Sequence, residues 1–263
     1  MRASRWLNPP RVTLLALLAL IALVTSNAIG LAQTPWHDAQ QLVLVTTTDW
    51  DANQGLLQTF TKQDGKWQPA STAVPVSIGR TGSAWGIGLH EPQPGPEKRE
   101  GDGRSPAGVF HIGQAFGYAP SVQSKLLYRA MSESDYCVDV SASPLYNRIV
   151  DSRKAGASAV AGSTEPMRRD IHVNGDQLYK IGFVIEHNSA GKPDAGSCIF
   201  AHLWRAPGSS TTGCTAMSEP VMLRLMAWLE PERRPIFVLL PRQEYARLKA
   251  SWELPDLVSS QTN

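Results

Sequence analysis

One cysteine of this chain stands in a setting suited to nucleophilic chemistry. Cys214 follows Gly213 in a turn-like segment, and His202 ends an apolar, strand-like run twelve residues earlier. An imidazole close to a thiol can accept its proton, and the resulting thiolate is a strong nucleophile. Glycine permits a tight turn whose backbone N–H groups can stabilise an oxyanion. We therefore predict Cys214 as the nucleophile, His202 as its general base and Gly213 as part of an oxyanion hole.

A helix is predicted shortly after the nucleophile. Ser218 fits an N-cap and Pro220 fits the first turn. The apolar positions that follow have helical spacing: Val221, Leu223, Leu225, Met226 and Leu229. The N-terminus of a helix carries a partial positive charge. With Cys214 four residues before Ser218, we expect this charge to raise the thiolate fraction.

The chain has three cysteines, an odd number. Oxidising compartments favour disulfides, so one thiol should remain unpaired. Cys137 and Cys198 lie in strand-like segments, whereas Cys214 lies in a turn-like one. We predict a Cys137–Cys198 disulfide and a free Cys214. The alternative, a bond between Cys198 and Cys214, would leave no nucleophile, and connectivity cannot be read from sequence.

The N-terminus has the three parts of a secretory signal peptide. Arg2, Arg5 and Arg11 precede an apolar stretch over residues 12–24, and small residues follow as far as Ala32. We predict a signal peptide over residues 1–32 and export to the periplasm or cell envelope. The alternative is an uncleaved membrane anchor, but the apolar run is shorter than the ~20 residues that a spanning helix needs.

The mature chain, residues 33–263, is expected to form a single domain with almost no net charge. It keeps 22 of the 25 basic residues and all 23 acidic residues, which gives a net charge of −1. Such a balance provides no general attraction to nucleic acid or anionic lipid. We therefore expect neither nucleic acid nor, after cleavage of the signal, a membrane as partner.

Most of the mature chain has the pattern of short strands, with a second helix over 243–254. Two long Gly/Pro-rich segments, 91–106 and 151–165, are predicted to be irregular, either as binding loops or as surface insertions. Apolar, β-branched runs bounded by turn residues predict strands at 42–47, 58–62, 74–79, 108–113, 183–187, 198–202 and 235–241. We predict a mainly β domain, a closed or sandwich-like sheet with a few short helices.

The region around Cys214 resembles the catalytic motif of the L,D-transpeptidase (YkuD-type) family, in which a strand-end His is followed by Ser/Thr-x-Gly-Cys before a helix. Thr-Thr-Gly-Cys at 211–214 fits this pattern, and Ser-Pro-Ala-Gly-Val-Phe at 105–110 resembles the family's small-Pro-x-Gly-x-Phe strand. The resemblance covers roughly residues 74–241. Two further stretches are similar to one bacterial branch of the family: 139–151 and 186–188.

The resemblance implies a cysteine-dependent peptidoglycan L,D-transpeptidase of the family's β fold. Cys214 would attack the carbonyl of the diaminopimelate-type residue in a tetrapeptide stem, form a thioester and expel the terminal D-Ala. An amine acceptor then gives a cross-link, whereas water gives L,D-carboxypeptidase trimming. A peptidoglycan-binding module without turnover is the alternative from another class. The expected partners are peptidoglycan stem peptides, and we expect a monomer that needs no cofactor.

Two positions depart from the family's usual motif. Thr212 stands where members usually have His, and Ala216 where they often have Arg. The first change removes an imidazole, and the second removes a cation that could bind a substrate carboxylate. The family's third catalytic element lies just after the His, so Leu203 is expected to orient His202 through its main chain.

Four residues are predicted to contact substrate. Thr212 lies in the motif, Trp204 and Arg205 follow the predicted base, and His187 lies in the similar stretch upstream. Arg205, His187 and Arg148 are candidates to replace the missing cation.

A zinc site is the alternative role for the cysteine and two of the histidines. Cys and His are the ligands that structural and catalytic zinc sites use. The spacing of His187, His202 and Cys214 contains no close ligand pair, however, and no carboxylate-rich motif accompanies them. We therefore expect no metal.

Overall fold

Strands dominate the part of the chain that the structure describes. The computed structural model describes Met1 and residues 33–257, so the signal peptide predicted over residues 1–32 lies, apart from Met1, outside the described residues. The strands are β1 (Gln41–Thr47), β2 (Gln54–Gln63), β3 (Lys66–Pro69), β4 (Val74–Ser77), β5 (Ser83–Trp85), β6 (Ser105–Gly117), β7 (Tyr128–Ala130), β8 (Asp135–Cys137), β9 (Ile149–Asp151), β10 (Glu165–Pro166), β11 (Ile181–Ile185), β12 (Phe200–Leu203), β13 (Thr215–Met217) and β14 (Ile236–Pro241). The helices are α1 (Ser152–Ala155), α2 (Arg169–His172), α3 (Glu219–Trp228) and α4 (Arg242–Leu248), with 3-10 turns at Ala157–Val160 and Pro231–Arg233.

Eight of these strands close into a barrel. Their order is β1-β14-β6-β11-β12-β13-β4-β2, and β2 pairs again with β1. The β1–β14 and β12–β13 pairs are parallel, and the other pairs of the ring are antiparallel. Strand β3 extends the sheet from β2, while β5 and β7 pair with β6. The prediction of a mainly β domain with a closed sheet and few short helices is confirmed.

Apolar side chains of the strands form the core of the barrel. Every residue of β1 and of β14 is buried, as expected for continuous apolar runs covered on both faces. Helix α4 packs against both strands. Phe110 on β6, Phe183 on β11 and Phe237 on β14 are fully buried, and each such side chain contributes roughly 1.5–3 kcal/mol through the hydrophobic effect.

A disulfide joins the barrel to a small second sheet of order β10-β8-β9. Cys137 at the end of β8 is bonded to Cys198, two residues before β12, with their Cα atoms 5.9 Å apart. Cys214 is a free thiol. The predicted pairing is therefore confirmed, and the alternative bond between Cys198 and Cys214 is excluded. Because the bond spans 61 residues, it should stabilise the fold by about 4 kcal/mol in the chain-entropy model.

Several local predictions were wrong in detail. Ser218 is the N-cap of α3, but its side chain makes no capping hydrogen bond. Cys198 lies outside a strand, with a left-handed φ of 55°. Helix α4 ends at Leu248, six residues before the predicted end. The segment 151–165, predicted to be irregular, contains α1, a 3-10 turn and the start of β10.

None of the helices within the described part of the chain has the length and apolar character required to cross a membrane.

Candidate active site

Two adjacent parallel strands position the predicted nucleophile and base. His202 on β12 pairs with Ala216 on β13, and Cys214 lies directly before β13. Residues two apart along an extended chain point to the same face, so Cys214 and Ala216 share a face beside His202. All three line one cavity of about 300 Å³, where Cys214 is 6% exposed and His202 is 4% exposed. The barrel thus brings together the two residues that the sequence predicted as a pair.

Two hydroxyl groups fix the backbone of the nucleophile. The carbonyl oxygen of Cys214 accepts hydrogen bonds from Ser105 Oγ at 3.1 Å and from Thr211 Oγ1 at 2.6 Å. Ser105 is fully buried at the start of β6, and its Oγ also accepts from the Gly79 backbone N–H at 2.9 Å. The Ser-Pro-x-Gly-x-Phe strand therefore holds the nucleophile in place, a contact that spacing along the sequence does not reveal.

Gly213 provides the turn before the nucleophile. Its φ is +155°, and a Cβ there would lie 3.1 Å from the Arg104 carbonyl oxygen. The Gly213 N–H donates to Thr211 Oγ1 at 3.1 Å. The N–H groups of Thr212 and Cys214, by contrast, donate to no other group within the described residues. Gly213 therefore shapes the turn, and the N–H groups of its two neighbours have no acceptor among the described residues.

Among the described residues, one ring nitrogen of His202 has a hydrogen-bond partner and the other has none. Its Nδ1 lies 2.7 Å from the Leu203 carbonyl oxygen, which can only accept, so the proton of the neutral ring is on Nδ1. This is the main-chain contact expected of Leu203. Burial lowers the pKa of His202 to about 4. At neutral pH the Nε2 lone pair is therefore able to accept a proton.

The Cys214 thiol is protonated at neutral pH, contrary to the expectation from helix α3. Burial, with a smaller effect of the Glu165 carboxylate, raises the pKa of Cys214 to about 12. The thiol donates to the Cys198 carbonyl oxygen at 3.4 Å and accepts from the Phe200 N–H at 3.3 Å. The three residues of β13, about 10 Å of chain, separate Cys214 from α3, whereas the charge of a helix end acts only within its first turn.

The two reactive groups form a neutral pair. No hydrogen bond joins the Cys214 thiol to the His202 imidazole within the described residues. With the thiol pKa at about 12 and the imidazole pKa at about 4, neither group is charged at neutral pH. Any reaction of this thiol as a nucleophile would therefore require a base to accept its proton.

Three residues that the sequence did not indicate complete one wall of the cavity. Glu165 on β10 forms an ion pair with Arg169 on α2 at 3.3 Å, and the Arg169 guanidinium lies 5.4 Å from the centre of the Tyr179 ring. The Tyr179 ring packs edge-on against His202 with centroids 5.2 Å apart. Burial raises the pKa of Glu165. Glu165 and Arg169 have the four-residue spacing of a local ion pair, but no local signal connects Tyr179 to His202.

Three of the four predicted substrate contacts line the same cavity. They are Thr212, Trp204 and Arg205. Arg205 forms an ion pair with Asp176 at 3.0 Å, and Asp176 also pairs with Arg169 at 3.2 Å.

His187 lies in a different place, away from this cavity. Its Nδ1 accepts from the Ile87 N–H at 3.1 Å, and its Nε2 lies 2.9 Å from the Ala195 carbonyl oxygen. Burial lowers its pKa to about 4, and both of its ring nitrogens are bound by the backbone. Arg148, the other candidate cation, donates to the Ser189 carbonyl oxygen and does not line the cavity either.

The three residues of the alternative zinc site do not converge. His187 is absent from the cavity that His202 and Cys214 share. Within the described residues, no group of three or more His, Cys, Asp and Glu side chains is arranged to hold a metal ion.

Comparisons with known proteins add little to this geometry. No protein-family model matches the chain, and no curated protein matches it. Among solved structures it is similar to the helical cell shape determining protein Pgp2 from Campylobacter jejuni, with a TM-score of 0.36 and 16% sequence identity. The similarity covers 77% of this chain, which spans about half (48%) of that protein. A similarity this low supports no functional argument.

Proposed function

We propose that this protein is a cysteine acyltransferase that acts on peptidoglycan stem peptides, as its resemblance to the L,D-transpeptidases implies. One observation carries the proposal: the Cys214 thiol and the His202 imidazole line the same cavity, and Leu203 holds His202 with its Nε2 unprotonated. A buried nucleophile beside an oriented base is the arrangement that acyl transfer through a thioester needs.

The first step forms the acyl-enzyme. His202 Nε2 takes the proton of the Cys214 thiol while the sulfur attacks the carbonyl carbon of the penultimate, diaminopimelate-type residue. In this proposal the N–H groups of Thr212 and Cys214, which flank Gly213, donate to the oxyanion. When the tetrahedral intermediate collapses, the C–N bond breaks and His202 returns the proton to the leaving D-Ala amine. A thioester on Cys214 remains.

The second step transfers the acyl group to an acceptor. His202 Nε2 takes a proton from the acceptor, whose nitrogen or oxygen attacks the thioester carbonyl, and the proton then returns to the sulfur. An amine of a second stem gives a cross-link, which is the transpeptidase reaction. Water gives a free carboxylate, which is L,D-carboxypeptidase trimming. Neither step requires a cofactor.

The disulfide supports the cellular location in this proposal. Structural disulfides form in oxidising compartments, and the Cys137–Cys198 bond fits an exported protein. We propose that residues 1–32 direct export and that residues 33–263 act as a single catalytic domain in the cell envelope, where peptidoglycan stems are found.

Incubation of the mature protein with disaccharide-tetrapeptide tests the proposal. We expect mass spectrometry to detect an acyl adduct on Cys214, together with loss of D-Ala and either a cross-linked dimer or a trimmed tripeptide. Dimer would identify transpeptidation, and tripeptide alone would identify trimming. Unchanged peptide would instead indicate a binding module without turnover.

Cys214→Ala is the matched control for that experiment. We expect the variant to lose the adduct and at least about 10³-fold in turnover, because the thiol forms the covalent intermediate. Its thermal unfolding should stay close to that of the wild type, since the substitution keeps a small side chain at a turn. Release of D-Ala at the wild-type rate would show that the nucleophile is another residue.

A further inference from the structure

Three arginines line the cavity, and they differ in whether a carboxylate forms an ion pair with them. Arg169 is paired with Glu165 and Asp176, and Arg205 is paired with Asp176. These two cations are therefore compensated by two carboxylates, of which Glu165 lines the cavity. Arg80 also lines the cavity, yet within the described residues its guanidinium forms no ion pair and donates no hydrogen bond. The cavity thus carries one uncompensated positive charge.

Arg80 is attached directly to the loop that carries the nucleophile. Its backbone N–H donates to the Thr211 carbonyl oxygen at 2.8 Å, and the preceding Gly79 forms a parallel bridge with Thr211. Thr211 in turn holds the Cys214 carbonyl oxygen through its hydroxyl. The base of the Arg80 side chain is therefore fixed relative to Cys214, while the residue as a whole is exposed and lines the cavity.

The residue two positions after the nucleophile, on β13, has a small side chain and leaves room for a charged group of a ligand. Ala216 lines the cavity with only a methyl group. A guanidinium matches a carboxylate with two parallel hydrogen bonds, and an arginine without an acidic neighbour loses no ion pair when it binds one. Arg205 could bind an anion only in competition with Asp176.

We propose that Arg80 binds the free C-terminal carboxylate of the residue that the acyl donor loses. This inference rests on the proposed function and names the residue that recognises the C-terminal end of its donor peptide. A chain-extended peptide carries its carboxylate further from the scissile bond and an amidated peptide carries none, so both are discriminated against. Arg80 is thus a specificity residue that contacts substrate and takes no part in the proton transfers.

Binding measured without turnover tests the proposal. In the Cys214→Ala background, isothermal titration calorimetry compares disaccharide-tetrapeptide with the same peptide carrying a C-terminal amide. We expect the free acid to bind about tenfold more tightly than the amide, and Arg80→Ala to remove this difference by weakening the acid alone. Arg80→Lys should retain part of the difference, because it keeps the charge and loses the paired hydrogen bonds. Arg224→Ala, a matched change at an exposed arginine on α3 outside the cavity, should leave both affinities unchanged.

Each result decides the question. Equal affinity for acid and amide, equal weakening of both by Arg80→Ala, or no binding of either peptide would overturn the inference. Selective binding of the acid that depends on Arg80, in a wild-type protein that never releases D-Ala, would refute the proposed turnover and leave the carboxylate site standing. Thermal unfolding of each variant separates a loss of binding from a loss of fold.

Discussion

Two buried histidines in this protein share their burial and their pKa but differ in their hydrogen bonds. His187 and His202 are 2% and 4% exposed, and burial lowers the pKa of each to about 4. Both ring nitrogens of His187 are bound by the backbone, whereas in the part of the chain that the structure describes only Nδ1 of His202 has a partner. His202 also lines the cavity of Cys214, and His187 does not. A depressed pKa therefore does not identify a catalytic histidine. The two histidines differ in that His202 belongs to a cavity lining and has a ring nitrogen with no partner among the described residues.

The largest expected effect on turnover comes from replacing a histidine by Gln. This effect should differ strongly between the two histidines. We expect His202→Gln to lower kcat for D-Ala release on the order of 10²- to 10⁴-fold, because the amide cannot accept the thiol proton. His187→Gln should change kcat by less than about threefold, since His187 only connects backbone segments. Steady-state kinetics of the two variants measures the difference. A loss below threefold for His202→Gln would show that another residue is the base.

The similarity between the two histidines should appear in the pH dependence of stability. Because each pKa is lower in the folded protein than its usual 6.5, the unfolded chain takes up the protons first as the pH falls. The free energy of unfolding should therefore decrease between about pH 6.5 and pH 4. Below pH 4 these two histidines should contribute little further change. Each histidine accounts for about 3 kcal/mol of that decrease.

Urea unfolding at several pH values measures this dependence. His187→Gln should remove roughly half of the decrease that the two histidines cause together. The exposed His111→Gln is the matched control and should leave the dependence unchanged. If His187→Gln preserves the whole pH dependence, the group responsible is a different one.

The smallest effect is expected from the carboxylate that faces the thiol. Glu165→Gln removes a negative charge that raises the pKa of Cys214, so the thiolate fraction should increase. Alkylation by iodoacetamide at pH 8 should become roughly two- to tenfold faster. Arg169 and Tyr179 remain in the cavity lining, and Glu219→Gln outside this cavity is the control. Reaction of the Cys214 thiol with a neutral aromatic disulfide should become faster by the same factor. An unchanged rate with both reagents would mean that Glu165 does not influence the thiol.

The sequence predicted those features that depend on neighbouring residues along the chain. The apolar runs of β1 and β14 predict buried strands, because apolar side chains stabilise the fold when both faces of the sheet are covered. The odd number of cysteines and their strand-like or turn-like settings predicted the Cys137–Cys198 bond, which the structure contains. The motif spacing indicated that His202 and Cys214 belong together.

Only the tertiary structure determined the charges and protonation states of the site. Glu165, Tyr179 and Arg80 reach the cavity from three separate segments, and no local pattern relates them to Cys214. The sequence predicted an activated thiolate beside a helix, but burial keeps the thiol protonated. Desolvation and Coulomb interactions depend on distances through space, so the pKa of a side chain follows from the packed fold and not from its neighbours in the chain.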